Sequence, residues 1–320
     1  MNSFVEKVNF LAKLKISFFF LIDFEGNNPV VYTFKEATKN NIFFNVNGVS
    51  NAINKRGSIP DIKVVKSISK QHYTTCFREV KKALRSGETF LLNLIFPTQI
   101  SLSCSLKQLF YSAHAPYKLF YKNQFAFFSP ECFVKIKEDI IYTYPMKGTV
   151  SADIQDAKNT LLNNPKEIYE HNTIVDLLRN DLSMIAKEVR VARFRYIEKI
   201  KTNTTPIYQT SSEICGKLEK NWRDSLGELL LKLIPAGSIS GAPKVKTIQK
   251  IKEIESDERN FYTGVFGIYD GNTLDSGINI RYVEKRENLF FYRSGGGITF
   301  LSDLEKEYDE FLNKIYVLVV

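Results

Sequence analysis

Tyr144-Pro145-Met146-Lys147-Gly148-Thr149-Val150 sets a lysine between a proline that fixes the chain and a glycine that frees it. Upstream, Phe128-Ser129-Pro130-Glu131 brings a carboxylate, and the apolar Ile140-Ile141 between the two reads as a strand. The arrangement predicts an amine and a carboxylate facing one another from neighbouring strand ends. Alone, a lysine in a turn is a solvated surface charge, so the rest of the chain has to decide whether this one does chemistry.

Before the turn, residues 1–65 alternate short apolar runs (Phe18-Phe19-Phe20-Leu21-Ile22, Ile42-Phe43-Phe44) with Asn and Gly and read as strands and turns. In 67–85, Tyr73, Phe77, Val80 and Leu84 recur at helical spacing. A buried strand over 89–96, a short helix over 106–112 and a strand meander over 117–142 follow, the meander carrying Glu131. After the turn, 153–179 is helical with a break at Asn164-Pro165, and 189–191 and 196–200 read as short strands. Helices over 225–233 and 245–254 lead to strands over 264–269, 277–283 and 289–293. The glycine triplet Gly295-Gly296-Gly297 and a last helix from residue 304 end the pattern.

The 320 residues can bury a large core, and 25 Phe with 16 Tyr favour sheet. The formal charge of +9 suits an anionic partner, but Lys and Arg are spread along the chain rather than gathered in one block. Cys76, Cys104, Cys132 and Cys215 form no CxxC pair, as expected of reduced thiols in a cytoplasm. His72, His114 and His171 lie too far apart in sequence to point to zinc. The apolar run 16–22 is too short to span a bilayer and is followed by no small-residue cleavage site, so neither membrane insertion nor a signal peptide is expected.

Candidate chemistry clusters late in the chain. Glu307, Glu310 and Lys314 share one helical face, and Glu170 sits on another helix among apolar neighbours. As an isolated stripe, the late trio is a solvated salt-bridge ladder. Together with Glu170 it offers the hard oxygen ligands that suit Mg2+. The glycine triplet just before that helix reads as an anion nest or a plain turn. Gly237-Ser238-Ile239-Ser240-Gly241-Ala242-Pro243-Lys244 fails the P-loop spacing.

Five blocks, in order, resemble the signatures of the chorismate-binding enzymes: Pro145 to Thr149, Glu170 to Asp181, Gly237 to Lys244, Gly295 to Gly297, and Glu307 to Glu310. The resemblance covers about residues 70–316, leaves 1–65 as an abbreviated N-terminal strand region, and implies one α/β (α+β) domain over 1–320. In that fold two interleaved halves with largely antiparallel sheets form a β-sandwich surrounded by helices. It implies Glu170, Glu307 and Glu310 as Mg2+ ligands. Gly295, Gly296, Gly297, Arg281, Lys314, Thr149 and Ser240 are implied as substrate contacts, Glu131 as general acid and Lys147 as nucleophile.

The lysine is similar to that of the family's aminodeoxychorismate synthase component I branch, which belongs to p-aminobenzoate and folate biosynthesis; anthranilate synthases usually carry alanine there. The implied reaction joins chorismate and ammonia, and since no glutaminase domain fits this chain, a separate glutamine amidotransferase subunit is the expected partner. Departures from the family pattern fall at Leu91, Gln209 and Ile268; a leucine at 91 cannot activate water, which disfavours isochorismate formation. The rival readings are anthranilate synthase component I and a non-catalytic anion- or RNA-binding protein on the same fold. Retained acidic residues weigh against the second, since a polyanion binder gains nothing from buried negative charge.

Overall fold

The computed structural model describes residues 2–53, 60–200 and 206–315. Within them the strands form two antiparallel sheets of nine strands each. One runs Met146–Ser151, Ile207–Lys217, Ile140–Thr143, Cys132–Lys137, Leu274–Ile278, Val265–Tyr269, Phe18–Ile22, Val30–Thr33, with Lys187–Ile200 also paired to Ile207–Lys217. The other runs Gly241–Ala242, Leu91–Leu102, Leu289–Thr299, Tyr282–Arg286, Phe125–Ser129, Tyr117–Tyr121, Ile42–Val46, Val49–Ser50, with Ile62–Lys66 along Leu91–Leu102. The chain crosses between the sheets repeatedly, which is the interleaving the sequence implied. The N-terminal strands divide between both sheets, so they belong to the same body.

The period-2 pattern builds the sandwich. Phe19 and Leu21 point inward with Phe266, while Phe44, Phe125 and Phe127 face them from the second sheet. Phe19 stacks on Phe44 at 5.4 Å between ring centres, and Phe127 meets Phe266 edge-on at 4.8 Å. Phe18, Phe20 and Ile22 point the other way, into the core shared with Val8 and Leu226 of two covering helices. Ala126 and Phe128 meet Leu109 and Phe110 on the outer face of the second sheet. Truncating a ring such as Phe19 to alanine costs about 3–5 kcal/mol in a site like this.

Several local readings change. Residues 1–65 hold two helices, Asn2–Lys13 and Phe34–Lys39, besides strands. The first buries Phe4, Val8, Leu11 and Ala12, a helical spacing, and the second starts on a Thr33–Glu36 capping box. Lys187–Ile200 is one strand, broken in pattern by register shifts with Glu188 and Arg195 at positive φ. It pairs with Ile207–Lys217, a strand beyond those read from the sequence. The stretch 277–283 divides between two strands in different sheets.

Candidate active site

The two sheets exchange chain at two short crossings, and the site is built there. Pro130-Glu131 leads from Phe125–Ser129 to Cys132–Lys137, and residues 279–281 lead from Leu274–Ile278 to Tyr282–Arg286. The crossings are bonded together: Ile278 N–H donates to the Glu131 carbonyl at 3.0 Å, and Phe128 N–H to the Arg281 carbonyl at 3.2 Å. Arg281 takes φ of 56°, a left-handed conformation that costs a non-glycine residue about 1–3 kcal/mol and recurs at functional sites. Its Nη1 donates to the Lys314 carbonyl at 2.9 Å.

A cavity of about 550 Å3 opens beside the crossings, and Glu131, Lys147, Glu170, Arg281, Glu310 and Lys314 all line it. Thr149, Gln209 and the glycine triplet line it as well. The sequence reading therefore brings one set of residues to one place, with two exceptions. Ser240 is buried, and its hydroxyl donates to the Ala236 carbonyl at 2.9 Å; Ser238, two residues earlier, is the serine that lines the cavity. Glu307 lies just behind the wall, buried.

Lys147 is not in a turn. It lies on the edge strand Met146–Ser151, where the register shifts between Lys147 and Thr149. Gly148 makes the shift possible with φ of 75°, and a Cβ there would stand 2.8 Å from Glu167 Oε2. The Thr210 hydroxyl donates to the Lys147 carbonyl and pins the bulge. The amine itself is largely enclosed, with Glu170 Oε2 at 3.9 Å.

Across the cavity, burial raises the pKa of Glu131, against a hydrogen bond from Ser238 and the charge of Lys147, which lower it. A carboxyl in that state keeps its proton to higher pH than an ordinary glutamate and can give it up.

The acidic end is more crowded. Glu170 comes from Pro165–Ser183, and Glu307 and Glu310 from Leu304–Asn313. Lys166, one turn before Glu170, puts its Nζ 2.7 Å from Glu307 Oε1, 3.6 Å from Glu170 Oε1 and 4.0 Å from Glu310 Oε2. Burial opposes the charge on Lys166, but the three carboxylates outweigh it and raise its pKa. Burial likewise raises the pKa of Glu170, with Lys147 and Lys166 pulling it back.

Both oxygens facing Lys166, Glu170 Oε1 and Glu307 Oε1, are buried; Glu307 Oε1 has the ammonium at 2.7 Å, while Glu170 Oε1 makes no hydrogen bond. As they stand, no three acidic, His or Cys side chains among the described residues are gathered closely enough to ligate an ion directly. Lys314 Nζ pairs with Glu310 Oε1 at 2.6 Å and donates to the Gly295 carbonyl at 3.1 Å.

The glycine triplet is neither turn nor nest. It continues Leu289–Thr299 and pairs with Ile95, Leu94 and Asn93. In an extended strand successive N–H groups point to opposite edges, so the three cannot converge on one anion. What glycine supplies is room. A Cβ at Gly296 would stand 3.4 Å from Lys314 Nζ and 3.7 Å from Glu307 Oε2, and one at Gly297 would stand 3.6 Å from Lys147 Nζ.

Residues the sequence reading passed over hold this frame. His171 is fully buried with Nε2 2.6 Å from Ser212 Oγ, and Ser212 N–H donates to the Pro145 carbonyl at 3.0 Å, tying the Glu170 helix to the Lys147 strand. Burial pushes the His171 imidazole down to about 4, with the charges of Arg195 and Lys147 adding to it. Buried Arg259 pairs with Glu255 at 2.7 Å and donates to the carbonyls of Asn93 and Ile239, fastening two walls of the cavity.

Lys244, at the end of the 237–244 block, pairs with Asp181 at 2.8 Å. Leu91 is buried beside Gly297. Ile268 lies in the sandwich interior, away from the cavity wall. Of the overlooked residues, Lys166 had a signal: it stands four before Glu170, on the same helical face.

Residues 35–320 match the model of the chorismate binding enzyme family, and the chain belongs to that family. It is 47% identical over 317 residues to an uncharacterized PabA-like protein of Haemophilus influenzae, covering 99% of this chain and 97% of that one. It is 31% identical over 265 residues to aminodeoxychorismate synthase component 1 of Klebsiella aerogenes, covering 78% of this chain and 57% of the relative. The crystal structure of anthranilate synthase component I from Streptococcus pneumoniae superposes with a TM-score of 0.64 at 24% identity, over 83% of this chain and 60% of that one. Among the described residues, no helix is long and apolar enough to cross a membrane.

Proposed function

We propose that this chain aminates chorismate at C4 to give 4-amino-4-deoxychorismate, with ammonia delivered from glutamine by a separate amidotransferase subunit. The observation that carries the reading is an enclosed lysine amine, Lys147, in one cavity with a carboxyl, Glu131, held toward its protonated form. The likeness to the Klebsiella aerogenes component 1 supports it. Arg281 and Lys314 supply cationic groups for a dianionic substrate, and a leucine at 91 offers no base to activate water. Four free cysteines accord with a reducing, cytoplasmic setting.

In this mechanism Lys147 Nζ attacks C2 of the ring, forming the C2–N bond as the C4–O bond breaks. Glu131 gives its proton to the departing hydroxyl, which leaves as water, and the amine loses a proton. Ammonia then adds at C4 while the C2–N bond to Lys147 breaks, and one proton passes from the incoming nitrogen to the leaving lysine nitrogen, which restores the neutral amine. Two allylic displacements restore the double bonds to their starting arrangement, which a single amination at C2 cannot do.

The donor chemistry of Glu170, Glu307 and Glu310, with the buried Oε1 of Glu170 lacking a hydrogen bond, fits Mg2+. When bound, Mg2+ would supply charge neutralisation for a substrate carboxylate. The residues that would hold it are those three glutamates.

The test is incubation with chorismate, MgCl2 and an ammonium salt, followed by mass spectrometry. The expected product is 4-amino-4-deoxychorismate with no pyruvate. Anthranilate with stoichiometric pyruvate would assign the chain to the anthranilate synthase reaction instead.

A further inference from the structure

The three glutamates do not face one another across empty space: a lysine ammonium stands among them. We propose that Lys166 is a tethered counter-ion for this acidic cluster, and that a divalent cation binds by displacing its ammonium. The inference rests on the reading of Glu170, Glu307 and Glu310 as metal ligands.

Three observations carry it. The first is fit. Only Glu307 is within close contact of Lys166 Nζ, at 2.7 Å, while Glu170 and Glu310 stand at 3.6 and 4.0 Å. The ammonium thus engages Glu307 Oε1 but leaves the buried Oε1 of Glu170, 3.6 Å away, without a hydrogen bond. Mg2+ approaches carboxylate oxygen to about 2.0–2.1 Å and would draw together groups the lysine holds apart.

The second is position. Lys166 follows Pro165 in the first turn of Pro165–Ser183, where the helix dipole disfavours a cation. Its ammonium is kept there by the glutamates, so neutralising them removes its reason to stay. The third is a way out. The Lys166 side chain is 28% exposed, against 8% and 2% for Glu170 and Glu307, so it can withdraw toward the cavity and solvent while they cannot.

The sign of the test is unusual: removing a lysine should strengthen cation binding. Titration calorimetry with MgCl2 compares the full chain with Lys166→Met and Lys166→Arg. We expect Lys166→Met to bind Mg2+ about tenfold tighter or more, since no ammonium then competes with the ion for the carboxylates. Lys166→Arg should stay near the unaltered protein. In EDTA, Lys166→Met should melt below the unaltered protein and gain more from Mg2+.

A second measurement needs no variant. The Lys166 amine should react several-fold faster with an acylating reagent when Mg2+ is present, as read by peptide mass spectrometry. Equal Mg2+ affinity in all three proteins, or unchanged Lys166 reactivity, would overturn displacement while leaving the metal assignment standing. No Mg2+ binding by any of them would overturn both.

Discussion

The two ends of the cavity are built on opposite electrostatic terms. At the acidic end Glu170, Glu307 and Glu310 crowd around Lys166, and Lys314 closes on Glu310, so charges sit mostly at ion-pair distance. Toward the other end the pairing loosens: Lys147 has its nearest carboxylate, Glu170, at 3.9 Å, and Glu131 is held toward its neutral form by burial. A crowded, compensated cluster suits holding ions in place. A sparse one leaves an amine and an acid free to react. Under the proposed function the glutamates bind and Lys147 with Glu131 makes and breaks bonds, so substitutions in the two groups should fail differently.

The largest effect is expected at Lys147. Lys147→Ala should lose about a thousandfold or more in kcat while still binding chorismate, measured by single-turnover kinetics beside equilibrium titration. An equal loss of binding would place Lys147 with the acidic end.

At that end, Glu307→Gln should cost about a hundredfold or more in kcat/KM, roughly 2.7 kcal/mol, and chelation should do the same to the unaltered protein. Near-full activity of Glu307→Gln in EDTA would remove the metal from the account.

Smaller shifts sharpen the division. The raised pKa of Glu131 makes the protonated acid available below that pKa, so activity should fall as pH rises through it. Ser238→Ala removes a hydrogen bond that favours the charged form and should move that fall to higher pH. Ser240→Ala, off the cavity, should leave the pH profile unchanged and cost about 1 kcal/mol of stability. A pH profile that moves with Ser240 rather than Ser238 would contradict the placement.

His171 gives a test of the frame alone. Its folded pKa near 4 lies below the ordinary 6.5, so the unfolded chain takes up the proton first as pH falls. Stability should therefore decline between about pH 6.5 and 4, by up to about 3 kcal/mol from this group. In His171→Asn that part of the slope should vanish in thermal melts, and an unchanged slope would show that other groups set it.

Much of this was legible in the sequence, for physical reasons. Phe18 to Ile22 reads as a strand because it is a short apolar run, and it is buried on both faces; 67–85 reads as a helix because its apolar residues keep the helical period. Lys147 and Glu170 could be named because they stand in ordered blocks, and Glu131 and Arg281 because the resemblance those blocks carry implies them.

What the sequence hid was geometry that only pairing creates. The glycine triplet looked like a turn because glycine usually breaks strands, yet here its lack of a side chain opens the cavity within a strand. Lys147 looked like a turn residue because Pro145 and Gly148 flank it; the bulge needs the partner strand to be seen. Ser240 and Ser238 differ by two residues in a single helical turn, too little for sequence to say which hydroxyl faces inward. Lys166 was visible by spacing to Glu170, but its meeting with Glu307 depends on how a distant helix docks.

In the proposed mechanism Lys147 forms a bond to the substrate. The most direct measurement omits ammonia: the chain is incubated with chorismate and MgCl2, quenched, digested and read by mass spectrometry. The peptide carrying Lys147 should gain the mass of chorismate less one water, and Lys147→Ala should show no such gain. An unmodified Lys147 peptide, from protein that aminates chorismate at C4 once ammonia is supplied, would contradict that mechanism.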